Sequence, residues 1–339
     1  MDAQLLDLAQ AKMKVLFLGL VQSAATPPVP GKLWWLYIAG AVVLVIGLAK
    51  ISRGEIQQAR GTDRVLVLGR LFFALPLAVF GAEHLILPRS IAPGVPSWIP
   101  WHMFWVLLVG VAHISASLSI TVKKFSVLAA TLLSGMLFSF VLLIQLPNWA
   151  ANPGNRFYFA ILLRDLSFSA GALACAAAQA EKWKQSTRSR IGVLTRCVFA
   201  VVAAAYGVEH FLHPDFVPVV PLNQLLPSWI PAHLVISYVT GAALLVSGVS
   251  LALNWKGRLA ATWLGIVILA VVLLVYLPMA VIKVPDVRSL NFITDTLMFC
   301  GAVLLLADLL PSEENAEAPA VNRAEPIRLL GVSDGEDVT

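Results

Sequence analysis

The chain is written in apolar runs of about twenty residues, and that length decides what it can become. At 1.5 Å per residue, a helix of about 20 residues spans the roughly 30 Å hydrocarbon slab of a bilayer. Inside the slab every backbone amide must be satisfied by the element itself, so only helices or closed barrels cross it. The alternating ten-residue strands of a barrel are not seen, which leaves an all-α polytopic membrane protein. The charged fraction agrees: it is 13%, against about 25% in soluble domains.

A leading span runs from Leu33 to Ala49, and a basic connector follows to residue 64. Further spans are expected at about 66–87, 101–121, 126–147, 157–179, 191–212, 232–253, 258–281 and 289–310, nine in all. Residues 1–32 read as an interfacial or half-inserted segment, with a signal peptide and a tenth span as the alternatives. Residues 312–339 are polar and acidic and read as a disordered cytoplasmic tail.

The net charge of +5 needs no nucleic acid to explain it. Cations gather in alternate loops: residues 50–64, Lys123 and Lys124, 181–190, then Lys256 with Arg258. Basic loops face the cytoplasm, so the intervening loops and their Pro-Ser-Trp-Ile-Pro motifs are expected to face outward across the cell (inner) membrane. Cys175, Cys197 and Cys300 form no CxxC pair and read as bland buried thiols.

One text occurs twice. Arg70, Gly81, Glu83, His84 and Pro88 recur as Arg196, Gly207, Glu209, His210 and Pro214, each 126 residues on (209 − 83). Pro96-Ser97-Trp98-Ile99-Pro100, His102 and Gly110 recur as Pro227-Ser228-Trp229-Ile230-Pro231, His233 and Gly241, offset by 131 (227 − 96). Leu128-Ala129-Ala130-Thr131 and Leu146-Pro147 return at the same 131. Asp165 and Gly171 return as Asp295 and Gly301 at 130 (295 − 165). Two parallel four-helix units are therefore expected, at residues 65–182 and 183–311, because an even number of spans restores orientation. The leading span echoes a fourth helix, with Gly40-Ala41-Val42-Val43 beside Gly301-Ala302-Val303-Leu304, and looks like the remnant of a third unit.

A four-span unit with Gly-x-Glu-His closing its first helix and a Trp-Ile-Pro loop before its second resembles the DoxX-like integral membrane proteins. The resemblance covers about residues 66–310, twice over. It implies a four-helix transmembrane unit. Characterised members of the wider group include a subunit of thiosulfate:quinone oxidoreductase and a component of a membrane oxidoreductase complex. The present chain departs from a typical member in being a fused tandem with an extra leading span.

Charge in an oily segment is costly, so the acidic and histidine positions are the candidate site. Glu83 lies about 7 Å below the outer end of its helix and Asp165 at about 12 Å depth. With His84, Trp98 and His102 they would line an outward-opening pocket; Glu209, His210, His213, Trp229, His233 and Asp295 would line a second. Three readings stay open. Glu83 or Asp165 would hydrogen-bond the head group of a quinone-like or isoprenoid-like molecule beneath a Trp98 lid. Alternatively, Glu, His and Asp would hold a metal, although no H-E-x-x-H-type spacing occurs. In the third reading the same groups fix helix packing. His84 and His210 would then snorkel to the outer interface, and Trp98 and Trp229 would be interfacial anchors. His113 in mid-span reads as a bonded core histidine.

No Walker loop, nucleotide fingerprint, haem-attachment motif or nucleophile elbow occurs, so no cofactor is assigned and no catalytic residue is named. The favoured expectation is a membrane subunit or binder of a small lipophilic molecule in contact with lipid. The alternatives are a subunit of a quinone-linked oxidoreductase, with a membrane or periplasmic redox partner, and a proton-coupled transporter.

Overall fold

The computed structural model describes residues 30–51, 53–59, 61–216, 226–227, 230–282 and 287–311. The expectations for the N-terminal segment, the C-terminal tail and Trp229 lie outside them. Among the described residues nine helices are long and apolar enough to cross a membrane. They are α1 (Pro30–Lys50), α2 (Asp63–Ile86), α3 (His102–Val122), α4 (Ser126–Ala151), α5 (Arg156–Gln179), α6 (Gln185–Leu212), α7 (His233–Ala252), α8 (Gly257–Met279) and α9 (Val287–Leu309). The protein is an all-α polytopic membrane protein.

Each of α2 to α9 packs on the next, and α9 closes the series against α2. Across the middle α5 lies directly on α9, while α1 docks on the outside against α2 and α3. These contacts leave α9 and α5 the most enclosed spans, at 89% and 72% buried, whereas α1 is 28% buried. The perimeter carries exposed Leu132, Val201, Val246 and Leu274, as expected where the neighbour is acyl chain rather than water.

One helix begins elsewhere than hydropathy alone suggests. α6 starts at Gln185 rather than near residue 191, because Arg188 and Arg190 continue a helix beyond its apolar stretch. Arg188 Nε donates to the carbonyl of Ala177 at 2.9 Å, capping the C-terminal end of α5. Arg258 does the same for α9, donating to Ala307 O at 3.1 Å and Leu310 O at 3.2 Å while pairing with Asp63 at 3.2 Å. Arg196 donates to Leu251 O at the end of α7. The basic end of the bundle is thus also where guanidinium groups close helix termini.

α4 and α8 each carry a π-helical turn, at Val141–Gln145 and Val272–Tyr276, followed by Leu146-Pro147 and Leu277-Pro278. Proline supplies no N–H and its ring crowds the carbonyl four residues back, so the ladder takes up an extra residue there. The turn re-aims Gln145 and Tyr276 into the bundle.

Small residues set the closest approaches. A Cβ built on Gly301 of α9 would stand 2.4 Å from the amide nitrogen of Phe73 in α2. One on Gly171 of α5 would stand 2.4 Å from the Cβ of Ala302. Close backbone packing of this kind substitutes for the hydrophobic drive that lipid removes. Ser134 Oγ donates to Ser169 O at 2.9 Å and Ser169 Oγ returns a bond to Ser134 O at 3.0 Å, tying α4 to α5. Cys300 Sγ donates to Gly265 O at 3.2 Å between α9 and α8. Cys175 and Cys300 are buried, but Cys197 is exposed on the perimeter of α6, correcting the expectation for that thiol.

Replacing Gly301 by Ala drives a methyl into backbone that cannot move aside. Thermal unfolding in detergent micelles is expected to show a loss of about 1–3 kcal/mol. Gly135→Ala, where a Cβ meets nothing within 4 Å, should leave stability unchanged or slightly raised.

Candidate functional site

The buried charges meet where α5 and α9 touch. Arg164 sits two turns into α5, and its side chain is 23% exposed. Its Nε donates to Asp165 Oδ1 at 2.9 Å, and its Nη1 donates to Asp295 Oδ2 at 3.0 Å and Oδ1 at 3.3 Å. Asp165 and Asp295 are 7% and 4% exposed, at about 12 Å from the starts of their helices. The rigid fork of guanidinium suits two carboxylates at once, and charge-assisted bonds in a low-dielectric interior are strong. Asp165 also accepts from Gln145 Nε2 at 2.8 Å, delivered by the π turn of α4. On the α8 side Tyr276, in the matching turn, hydrogen-bonds the side chain of Thr296, next to Asp295.

Glu83 extends the cluster. Asn291 of α9, one turn before Asp295 and on its face, donates Nδ2 to Glu83 Oε1 at 3.3 Å. One group here keeps unused hydrogen-bonding capacity. Asn291 Oδ1 is buried with no partner among the described residues. Arg164 spends Nε and Nη1 on the two carboxylates.

A second group of charges lies nearer the end of the bundle that carries Trp98. Arg156, first residue of α5, donates Nε to Glu209 Oε2 at 2.8 Å. His213 Nε2 stands 4.0 Å from the same oxygen, and the Arg156 guanidinium lies over the Phe216 ring at 4.5 Å. Tyr206 donates its hydroxyl to Ala160 O at 2.8 Å and seals α6 to α5 between the two groups.

The structure therefore brings Asp165, Asp295 and Glu83 together, and separately Glu209 with His213. Asp165 and Asp295, expected in different pockets, share one guanidinium. The reason is helix adjacency: α5 lies on α9, and α2 is held by α9 rather than by α5. The histidines do not snorkel. His84 and His210 fold back with Nδ1 on the carbonyls of Phe80 (2.7 Å) and Tyr206 (2.6 Å), and His210 is fully buried. Gly110 and Gly241 make the room, since a Cβ there would stand 3.0 and 2.8 Å from the Cβ of each histidine. Trp98 is 67% exposed, so its indole does not cover the carboxylates. His102 and His233 open α3 and α7 behind left-handed Trp101 and Ala232, and are half-buried. Among the described residues no three His, Cys, Asp or Glu side chains gather as a metal cage.

Sequence reasoning passed over Gln145, Asn291, Arg156, Tyr206 and Tyr276 and gave Arg164 no partner in the other half. A signal existed for some of them. Gln145 and Tyr276 precede the two Leu-Pro pairs, and Asn291 stands four residues before Asp295.

Fold and site together define a polytopic helical membrane protein with an ion cluster inside its spans. Compared with known proteins, the chain matches no family model, no curated protein and no solved structure.

Arg164→Met leaves two buried carboxylates without a cation, and a loss of about 3–5 kcal/mol is expected on unfolding in micelles. Adding Asp165→Asn and Asp295→Asn should recover most of it. A triple variant no more stable than the single one would show that the cluster is not held by these pairs.

Proposed function

We propose that the chain is a membrane-embedded binder, or membrane subunit, for a small lipophilic molecule with a quinone-like head. The carrying observation is an unspent group in the intramembrane cluster: the buried Asn291 Oδ1 acceptor. A hydroquinone hydroxyl gives a bond to that oxygen. A site about 12 Å inside an apolar span is reached from the lipid by molecules that already dissolve there. The DoxX-like sequence pattern supports the same reading, and with no cofactor motif in the chain, electrons would come from a membrane or periplasmic oxidoreductase partner.

Two fused four-helix units account best for the paired geometry. The π turns at Val141–Gln145 and Val272–Tyr276 are 131 residues apart (272 − 141), and the bonds of His84 and His210 to the carbonyl four residues back are 126 apart (210 − 84). The Trp98 end faces outward in this reading, opposite the basic end.

The test is titration of the protein in nanodiscs with decylubiquinone, followed by thermal shift. Asn291→Ala, which removes the partner of Glu83 without stranding a cation, is expected to weaken binding about tenfold or more, the worth of one bond to a charged or buried group. Arg156→Gln, outside the cluster, should bind as wild type does. Equal affinity in wild type and Asn291→Ala, or no binding at all, contradicts the proposal.

A further inference from the structure

At the basic end of the bundle, α1, α2 and the end of α3 enclose a small hollow. Lys50, Arg70, Thr121 and Lys123 form its polar side, and Val67 and Leu71 belong to its apolar side. The helices meet there because Gly47 lets α1 close on α2: a Cβ on it would stand 2.3 Å from Leu71 Cδ1. Lys50 follows within a turn of Gly47, and Arg70 adjoins Leu71. Arg70 Nη2 lies 3.7 Å from Glu55 Oε1, and Lys123 Nζ bonds the same oxygen. Three cations therefore meet one carboxylate, and among the described residues no carboxylate lines the hollow itself. Its volume of about 20 Å³ admits the oxygens of one anionic group while the rest of the carrier stays outside.

The other half of the chain supplies an internal contrast. Lys123 holds φ +60°, a region that asparagine enters far more readily than lysine. The residue 131 positions on (254 − 123) is Asn254, at φ +55°. Glu181 stands 131 positions on from Lys50 (181 − 50). Arg196, 126 positions on from Arg70 (196 − 70), donates Nη1 to the carbonyls of Leu251 and Ala252. The first half thus gathers cations where the second half does not. We propose that the hollow seats the phosphate of an anionic phospholipid from the leaflet at the basic end. Guanidinium and ammonium groups give charge-assisted bonds to phosphate oxygens, and basic recesses between spans suit such head groups. Val67 and Leu71 lie in the apolar run of α2 and meet the carbons next to the phosphate, which favours a lipid over a free anion. The proposal is independent of the quinone reading, because it uses neither Glu83 nor Asn291.

The experiment titrates delipidated full-length protein in detergent with phosphatidylglycerol or phosphatidylcholine and counts bound lipids by native mass spectrometry. Wild type is expected to hold one phosphatidylglycerol about tenfold or more tighter than phosphatidylcholine. Lys50→Gln, and Lys123→Asn with the residue of the matched turn, should each weaken that lipid about fivefold, the worth of one cation facing an anionic head group. Lys182→Gln removes the same charge at the same end but outside the hollow, and should bind as wild type does. No preference for phosphatidylglycerol in wild type, or an equal loss in Lys182→Gln, overturns the proposal. Displacement of the lipid by millimolar inorganic phosphate also overturns it, and assigns the hollow to a free anion.

Discussion

A guanidinium held between two carboxylates inside a membrane span is the contact on which the rest of this structure depends. Taking an ion out of water costs several kcal/mol, and Coulomb attraction offsets that only when every lone pair and proton finds a partner. Arg164 offsets much of that cost by reaching Asp165 on its own helix and Asp295 on α9. The requirement reaches outward from there. α5 must touch α9, which Gly171 permits by having no Cβ in the way of Ala302. α4 must present Gln145 to Asp165, which the π turn before Pro147 arranges. α9 must also lie on α2, so that Asn291 meets Glu83, and Gly301 allows that approach.

The same helix order explains the second group of charges. Glu209 on α6 is paired by Arg156 on α5, just as Glu83 on α2 is bonded by Asn291 on α9. Each glutamate is therefore held by the last helix of the other half of the chain. Ionic contacts between halves resist their separation in a bilayer, where apolar helix faces gain little by meeting one another rather than lipid.

The nine spans were legible because hydrocarbon thickness is a fixed external ruler. The start of α6 was not, since hydropathy stops where the apolar run stops while Arg188 and Arg190 carry the helix on. Glu83, Asp165, Glu209 and Asp295 stood out as charge in oil, and all four have ionic or hydrogen-bonded partners. Their pairing was hidden, because it depends on which helices are neighbours and sequence spacing does not encode that. Arg164 shows the point: Thr294 stands 130 residues on (294 − 164), so the repeat gives no sign that Arg164 reaches Asp295. Gln145 and Tyr276 were hidden for a local reason, since a π turn rotates the residues beyond it off the regular helical face. His210 was misplaced because the space left by Gly241 lies on another helix.

A shared cluster and two separate pockets differ in stoichiometry. Native mass spectrometry of protein released from nanodiscs saturated with decylubiquinone counts bound molecules per chain. One quinone per chain is the predicted result, since Asp165 and Asp295 are committed to a single guanidinium. Two per chain, lost independently in Glu83→Gln and Glu209→Gln, would contradict it.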